Sequence, residues 1–168
     1  NPLPDDADLQ RVTWLAGDAT DAPTVAAAAE GMDAFVHCVG LLFDASTPGG
    51  GALNLVVSGS KSKPGAESTY DNITRKTALN LLAAAEALAA ADAPERAAAP
   101  PRALCVVSAA EAGWPEVRFG DFVDRNLAPG WLKRYLAAKR TVEAALSASD
   151  AAGAIRAAVF RPSLIWDW

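Results

Sequence analysis

Cysteine, histidine and long apolar runs are scarce in this sequence, and each shortage removes a class of protein. Two cysteines, Cys38 and Cys105, are too few for a disulfide framework. With His37 as the single histidine, no His/Cys/carboxylate cluster has the spacing of a metal site. All three residues sit in apolar runs, where free buried thiols and a satisfied strand histidine are expected. No apolar stretch reaches the roughly 18–20 residues of a transmembrane helix. Positive charge is also in deficit: Lys and Arg number 15 against 20 Asp and Glu, giving a net charge of −5. That balance argues against nucleic acid as a main partner, because phosphate neutralisation needs a basic face. The opening Asn1-Pro2-Leu3-Pro4 reads as loop; no signal or transit segment is visible, which says nothing about targeting because the true N-terminus is expected further upstream.

What remains is a chain of 168 residues, 51% of them hydrophobic, long enough for one domain with a real core. Much of that fraction is alanine in runs such as Val25–Glu30 and Leu81–Ala91, which favour helices that approach a sheet closely. Strands are expected at Val12–Ala16, Ala34–Val39, Ala103–Ser108 and Ile155–Phe160, with a further short one possible at Ala52–Val57. Helices are expected at Ala22–Glu30, where Pro23 suits the first turn, at Tyr70–Ala91 and at Trp131–Ala148. Leu41–Ser68 and Glu111–Gly130 read as long connections. Continuous apolar strands alternating with helices predict an α/β fold, a doubly wound parallel sheet with helices on both faces. In such sheets ligands bind beyond the carboxyl ends of the strands, where both long connections begin.

Three features could carry chemistry there. Tyr135 and Lys139 are spaced i, i+4, so on a helix the phenol and the ammonium share one face. A nearby cation favours the phenolate, which would make Tyr135 a usable acid or base near neutral pH. Ser108 ends the third strong strand and could bind the same substrate oxygen. Arg161-Pro162 follows the last strand. In isolation each has a plainer reading: a surface Tyr–Lys pair, a turn serine, a strand-end proline. The aromatics Trp114, Phe119, Phe122 and Trp131 cluster around the second connection, either packing on themselves or forming an apolar lid. Lys61, Lys63, Arg118 and Arg125 read as solvated loop charges.

The order strand–Ser108, helix–Tyr135-x-x-x-Lys139, strand–Arg161-Pro162 resembles the short-chain dehydrogenase/reductase superfamily, in its extended and atypical branches. Tyr70–Arg75, Val107–Ala110, Arg140 and Arg161–Ile165 are similar to one subgroup, the mitochondrial and plastid proteins related to the fungal coenzyme Q biosynthesis accessory oxidoreductase. The NAD(P)-binding accessory subunit of respiratory complex I is a more distant likeness. The resemblance implies a single, partial Rossmann-like NAD(P)-binding domain over residues 1–168. It implies Tyr135 as general acid/base, Lys139 as its tuning partner and ribose ligand, and Ser108 as the group orienting a carbonyl. It also implies that Asp18, Gly40, Lys139 and Pro162 line a site for NADP or NAD, with no metal.

Two departures qualify that pattern. No Gly-x-x-Gly-x-x-Gly follows a first strand, so the phosphate-binding strand–helix–strand unit is expected upstream of Asn1. Gly49-Gly50-Gly51 does not substitute for it. The asparagine that the family carries on the long helix aligns with Thr74, and Asn72 is expected to face elsewhere. Two functions follow as expectations: an NAD(P)-dependent oxidoreductase acting on an apolar carbonyl or quinone-related compound, or a non-catalytic nucleotide-binding subunit or assembly factor of an organellar complex. A mitochondrial location is implied by the same likeness, with no transmembrane segment.

Overall fold

A computed structural model describes residues 9–50, 52, 65–91 and 100–163. Three strands, β1 (Ala34–His37), β2 (Ala103–Val107) and β3 (Arg156–Phe160), pair in parallel in the order β1-β2-β3. Phe35 sits opposite Leu104, and Leu104 opposite Ala157, so side chains in register share a face.

The helices start and stop where local chemistry dictates. Helix α1 (Ala22–Ala29) opens on Asp21, whose carboxylate accepts the Thr24 amide at 3.0 Å, with Pro23 in its first turn. Gly31, at φ 73°, supplies the left-handed residue that turns the chain into β1. The second helix begins as a π-helical stretch, Tyr70–Lys76, capped by the Thr69 hydroxyl, and continues as α2 (Thr77–Ala91). After β2 the chain winds through a 3₁₀ stretch, Ala110–Glu116, and a short helix α3 (Gly120–Asn126). Helix α4 (Gly130–Ala151) ends in a Schellman turn: Gly153 N–H donates to the Asp150 carbonyl and Ala154 N–H to that of Ser149.

Ala29, Phe35, Ala78, Leu82, Leu104, Val106, Val142, Leu146 and Ile155 belong to one core cluster. Helices α1, α2 and α4 therefore enter the same face of the sheet. The α/β class and the parallel sheet match expectation. Helices on both faces go further than the described residues, in which the opposite face is open. On that face Val36 and Phe160 are 67% and 61% exposed.

Three expectations need correction. Val12–Ala16 is irregular rather than a strand. A strand needs a ladder partner, and among the described residues none lies beyond the outer edge of β1. Val12, Trp14 and Leu15 are consequently exposed. The connection Glu111–Gly130 is largely helical in two short pieces, because Pro115 and three glycines hide helical turns too brief for periodicity to mark. Both cysteines are free, but Cys38 is exposed just beyond β1 and Cys105 is half-buried on the open face. The possible strand Ala52–Val57, apart from Ala52, and Lys61 and Lys63 lie outside the described residues. No helix among those described is long and apolar enough to cross a membrane.

Leu104 is fully buried at the centre of the cluster. Leu104→Ala should therefore lower unfolding stability by about 2–5 kcal/mol, while Val36→Ala on the open face should stay within about 0.5 kcal/mol. Urea midpoints at constant slope read both. Equal losses at the two positions would contradict the one-sided core.

Candidate functional site

The carboxyl ends of all three strands open onto one cavity of about 500 Å³. Gly40 follows β1, Ser108 and Ala109 follow β2, and Pro162 follows β3, while α4 contributes Tyr135 and Lys139 from one face. The i, i+4 spacing works as expected. The last turn of β2 pairing also extends past its formal end: Ser108 N–H donates to the Phe160 carbonyl at 2.7 Å and Ala110 N–H to that of Pro162 at 2.9 Å. These bonds fix Ser108 at the cavity floor.

Lys139 is 5% exposed, and its ammonium donates to the Val107 carbonyl at 2.7 Å. Burial pulls its pKa below the ordinary lysine value, against the opposing pull of Glu143 and Cys38. Gly40 is its close neighbour: a β-carbon there would lie 3.8 Å from the Lys139 Nζ. Ser108 is 4% exposed, and its Oγ has no hydrogen-bond partner among the described residues. A buried hydroxyl without a partner is uncommon and marks a place where a ligand oxygen or a water completes the bonding.

Tyr135 departs from expectation. The ammonium lies 5.6 Å from its ring centroid and is committed to a backbone carbonyl. The phenol is instead pushed above its usual pKa, first by burial, then by the Glu111 carboxylate and by Tyr70. Tyr70 meets the Tyr135 ring edge-on at 5.5 Å and donates its own hydroxyl to the Leu42 carbonyl. Tyr135 is therefore a neutral phenol at physiological pH, equipped to give a proton.

A second polar layer lies beneath. The Thr77 hydroxyl donates to the Ile73 carbonyl at 2.7 Å, so His37 must carry its proton on Nε2 and donate to Thr77 Oγ1 at 2.9 Å. Among the described residues His37 Nδ1 has no partner, and neither does the Thr74 hydroxyl, which is 1% exposed. Burial, and then the Lys139 charge, lower the His37 pKa to about 4. Asn72 faces elsewhere, donating to the Glu67 carbonyl at the helix start.

Asp18 is not brought to this cavity. It caps the Thr20 amide at 2.8 Å and lines a separate pocket of about 530 Å³ with Leu15, Val25, Phe35 and Leu81. Of the aromatics, Trp114 and Trp131 line the main cavity, whereas Phe119 and Phe122 point to solvent. Trp131 packs edge-on against Phe43 at 4.8 Å. Two acids that sequence reasoning passed over stand out, Glu111 in the cavity and Asp44 outside it, in a separate pocket. Asp44 is buried and holds Thr47, Ser46 and Arg134 around its carboxylate. Its burial would raise the pKa, but these hydrogen bonds outweigh it and keep the carboxyl low. Neither acid belongs to a spaced motif, so the sequence offered no signal for them.

Comparison of the chain with protein-family models, curated proteins and solved structures found no match in any of the three.

Two measurements check these electrostatics. The chain has two tyrosines, and both Tyr70 and Tyr135 are raised. A spectrophotometric phenolate titration should therefore find neither midpoint below 10, and a midpoint near neutrality that disappears in Tyr135→Phe would contradict the assignment. His37, neutral when folded, binds its proton at about 4, whereas the unfolded chain binds it near 6.5. Between those values the unfolded state holds more protons. The stabilisation is complete above about pH 6.5 and is lost as pH falls towards 4, by about 3 kcal/mol. His37→Gln should flatten that part of the stability–pH curve, and an unchanged curve would contradict it.

Proposed function

We propose that this chain forms the substrate side of a nicotinamide-dinucleotide-dependent oxidoreductase of doubly wound fold, acting on a carbonyl compound with an apolar body. The observation that carries the reading is the meeting of Ser108, Tyr135, Lys139, Gly40 and Pro162 around one cavity at the strand ends. The exposed apolar side chains on the open sheet face, Val36 and Phe160, support a further layer there.

The nicotinamide-ribose end of a dinucleotide suits these residues. Ser108 keeps an unsatisfied buried hydroxyl, Lys139 has donors beyond the one spent on Val107, and Gly40 presents bare backbone beside it. Among the described residues no glycine-rich helix start faces the cavity to receive a pyrophosphate, so NADP and NAD fit this part equally. Bound there, the group would supply the hydride. The chain's own residues do the rest. Ser108 donates to the substrate oxygen and fixes its place. Tyr135, neutral through burial and the Glu111 charge, gives that oxygen its proton, which suits reduction better than oxidation. Lys139 holds the cofactor ribose and leaves a positive charge near the developing alkoxide.

One observation favours a second reading, a non-catalytic subunit of a larger, organellar assembly. Phe119, Phe122 and Leu127 are exposed together on and beside α3, an apolar surface that a partner chain would cover. There the dinucleotide would act as a structural ligand, stabilising the native state.

Tyr135→Phe separates the two. It keeps the ring that meets Tyr70 and removes only the hydroxyl group. If the enzyme reading holds, NAD(P)H-dependent reduction of a carbonyl substrate falls by about 10²–10⁴-fold with KM for the nucleotide unchanged. Turnover that survives the substitution would overturn the assignment. Recovery of the wild type in a large complex without any turnover, with assembly unchanged in Tyr135→Phe, would favour the subunit.

A further inference from the structure

The main cavity holds one charged side chain that the proposed chemistry does not consume. Glu111 occupies the first turn of the 3₁₀ stretch, three residues beyond Ser108, and lines the cavity with it. Its backbone is held firmly. Arg140 donates to the Glu111 carbonyl at 3.3 Å and to the Ala112 carbonyl at 2.9 Å, and is itself anchored on Asp124 at 2.8 Å. The next acid along, Glu116, is engaged by Arg161, but among the described residues no cation or hydrogen-bond donor pairs with the Glu111 carboxylate. Lys139, the cation that shares the cavity with it, is committed to Val107.

The rest of the wall is flat and apolar: Trp114, Trp131, Leu41, Leu42 and Leu132. A ring-shaped ligand fits such a wall by stacking and area burial. Its carbonyl oxygen would meet Ser108 and Tyr135. An ionised acceptor in the same cavity would then be left desolvated and unpaired by a wholly apolar ring, which costs binding. A ring that carries a hydroxyl satisfies it.

We propose that Glu111 is a specificity-determining residue and that the cavity takes hydroxyl-bearing aromatic carbonyl compounds, with the ring between the tryptophans and the ring hydroxyl donating to the Glu111 carboxylate. This rests on the oxidoreductase reading for the placement of the carbonyl oxygen, but it is tested by binding alone.

The probes are 4-hydroxyacetophenone and 4-methylacetophenone, which share shape and carbonyl and differ in the donor. Calorimetric titration of the wild-type chain should find the hydroxy compound bound about 10- to 100-fold more tightly, the range for a hydrogen bond to a charged group. In Glu111→Gln, which keeps size and removes charge, the preference should shrink to about threefold or less. The phenolate midpoint of Tyr135 should also move down, because the facing negative charge is gone; a surface glutamate would not produce this. Equal affinity of the wild type for the two probes, or a preference that survives Glu111→Gln, overturns the proposal. Turnover plays no part in these outcomes. A chain with full hydroxyl selectivity but no reductase activity would sink the oxidoreductase reading and leave the selectivity standing, whereas an active reductase without selectivity would do the reverse.

Discussion

The contact on which the site depends is the hydrogen bond from the buried Lys139 ammonium to the Val107 carbonyl. A charged amine with 5% exposure is costly unless it is bonded, and the carbonyl at the end of β2 is the group that accepts it. The bond ties the middle of α4 to the edge of the sheet, and the rest of the cavity is positioned relative to that tie. Tyr135 follows one helical turn earlier on the same face. Gly40 lies beside the ammonium, and Ser108 directly follows the accepting residue. A hydrophobic residue at 139 would pack, but it would leave the Val107 carbonyl without its donor and the helix without a fixed register.

The polar layer below has the same logic of obligatory pairing, incompletely met. His37 is held neutral against Lys139, with one nitrogen bonded to Thr77, while among the described residues its other nitrogen and the Thr74 hydroxyl have no partner. These orphans lie on β1 and on the π-helical stretch Tyr70–Lys76. Single π turns inside helices are frequent at functional sites. Here the wider turn delivers Tyr70 to Tyr135 and Thr77 to His37 at once. Unsatisfied groups at such a density are affordable only where a ligand or ordered water completes them.

Much of this was legible from residues alone, for physical reasons that differ by element. Continuous apolar strands and Pro23 in a first helical turn are local signals, and they placed β1, β2, β3 and α1 closely. The Tyr135–Lys139 spacing depends only on helical geometry, so it survived. Non-local facts did not show. Val12–Ala16 has strand composition but no ladder partner among the described residues. The tyrosine's electrostatics turned on which acceptor Lys139 chose and on Glu111, neither of which a spacing reveals. Asp44 and Arg134 meet across 90 residues of sequence. Asp18 ends a run that looked like a strand, yet the run is irregular and Asp18 caps its own turn beside a different pocket.

The central claim is that the strand-end cavity, and not the Asp18 pocket, receives the nicotinamide end of a dinucleotide. Nicotinamide mononucleotide titrated into isotope-labelled protein, followed by amide chemical shifts, addresses it directly. The account predicts saturable shifts at Cys38, Gly40, Ser108 and Ala109, with little change from Gly17 to Ala29. Shifts confined to Gly17–Ala29, or none at ligand concentrations that saturate ordinary nucleotide sites, would contradict it.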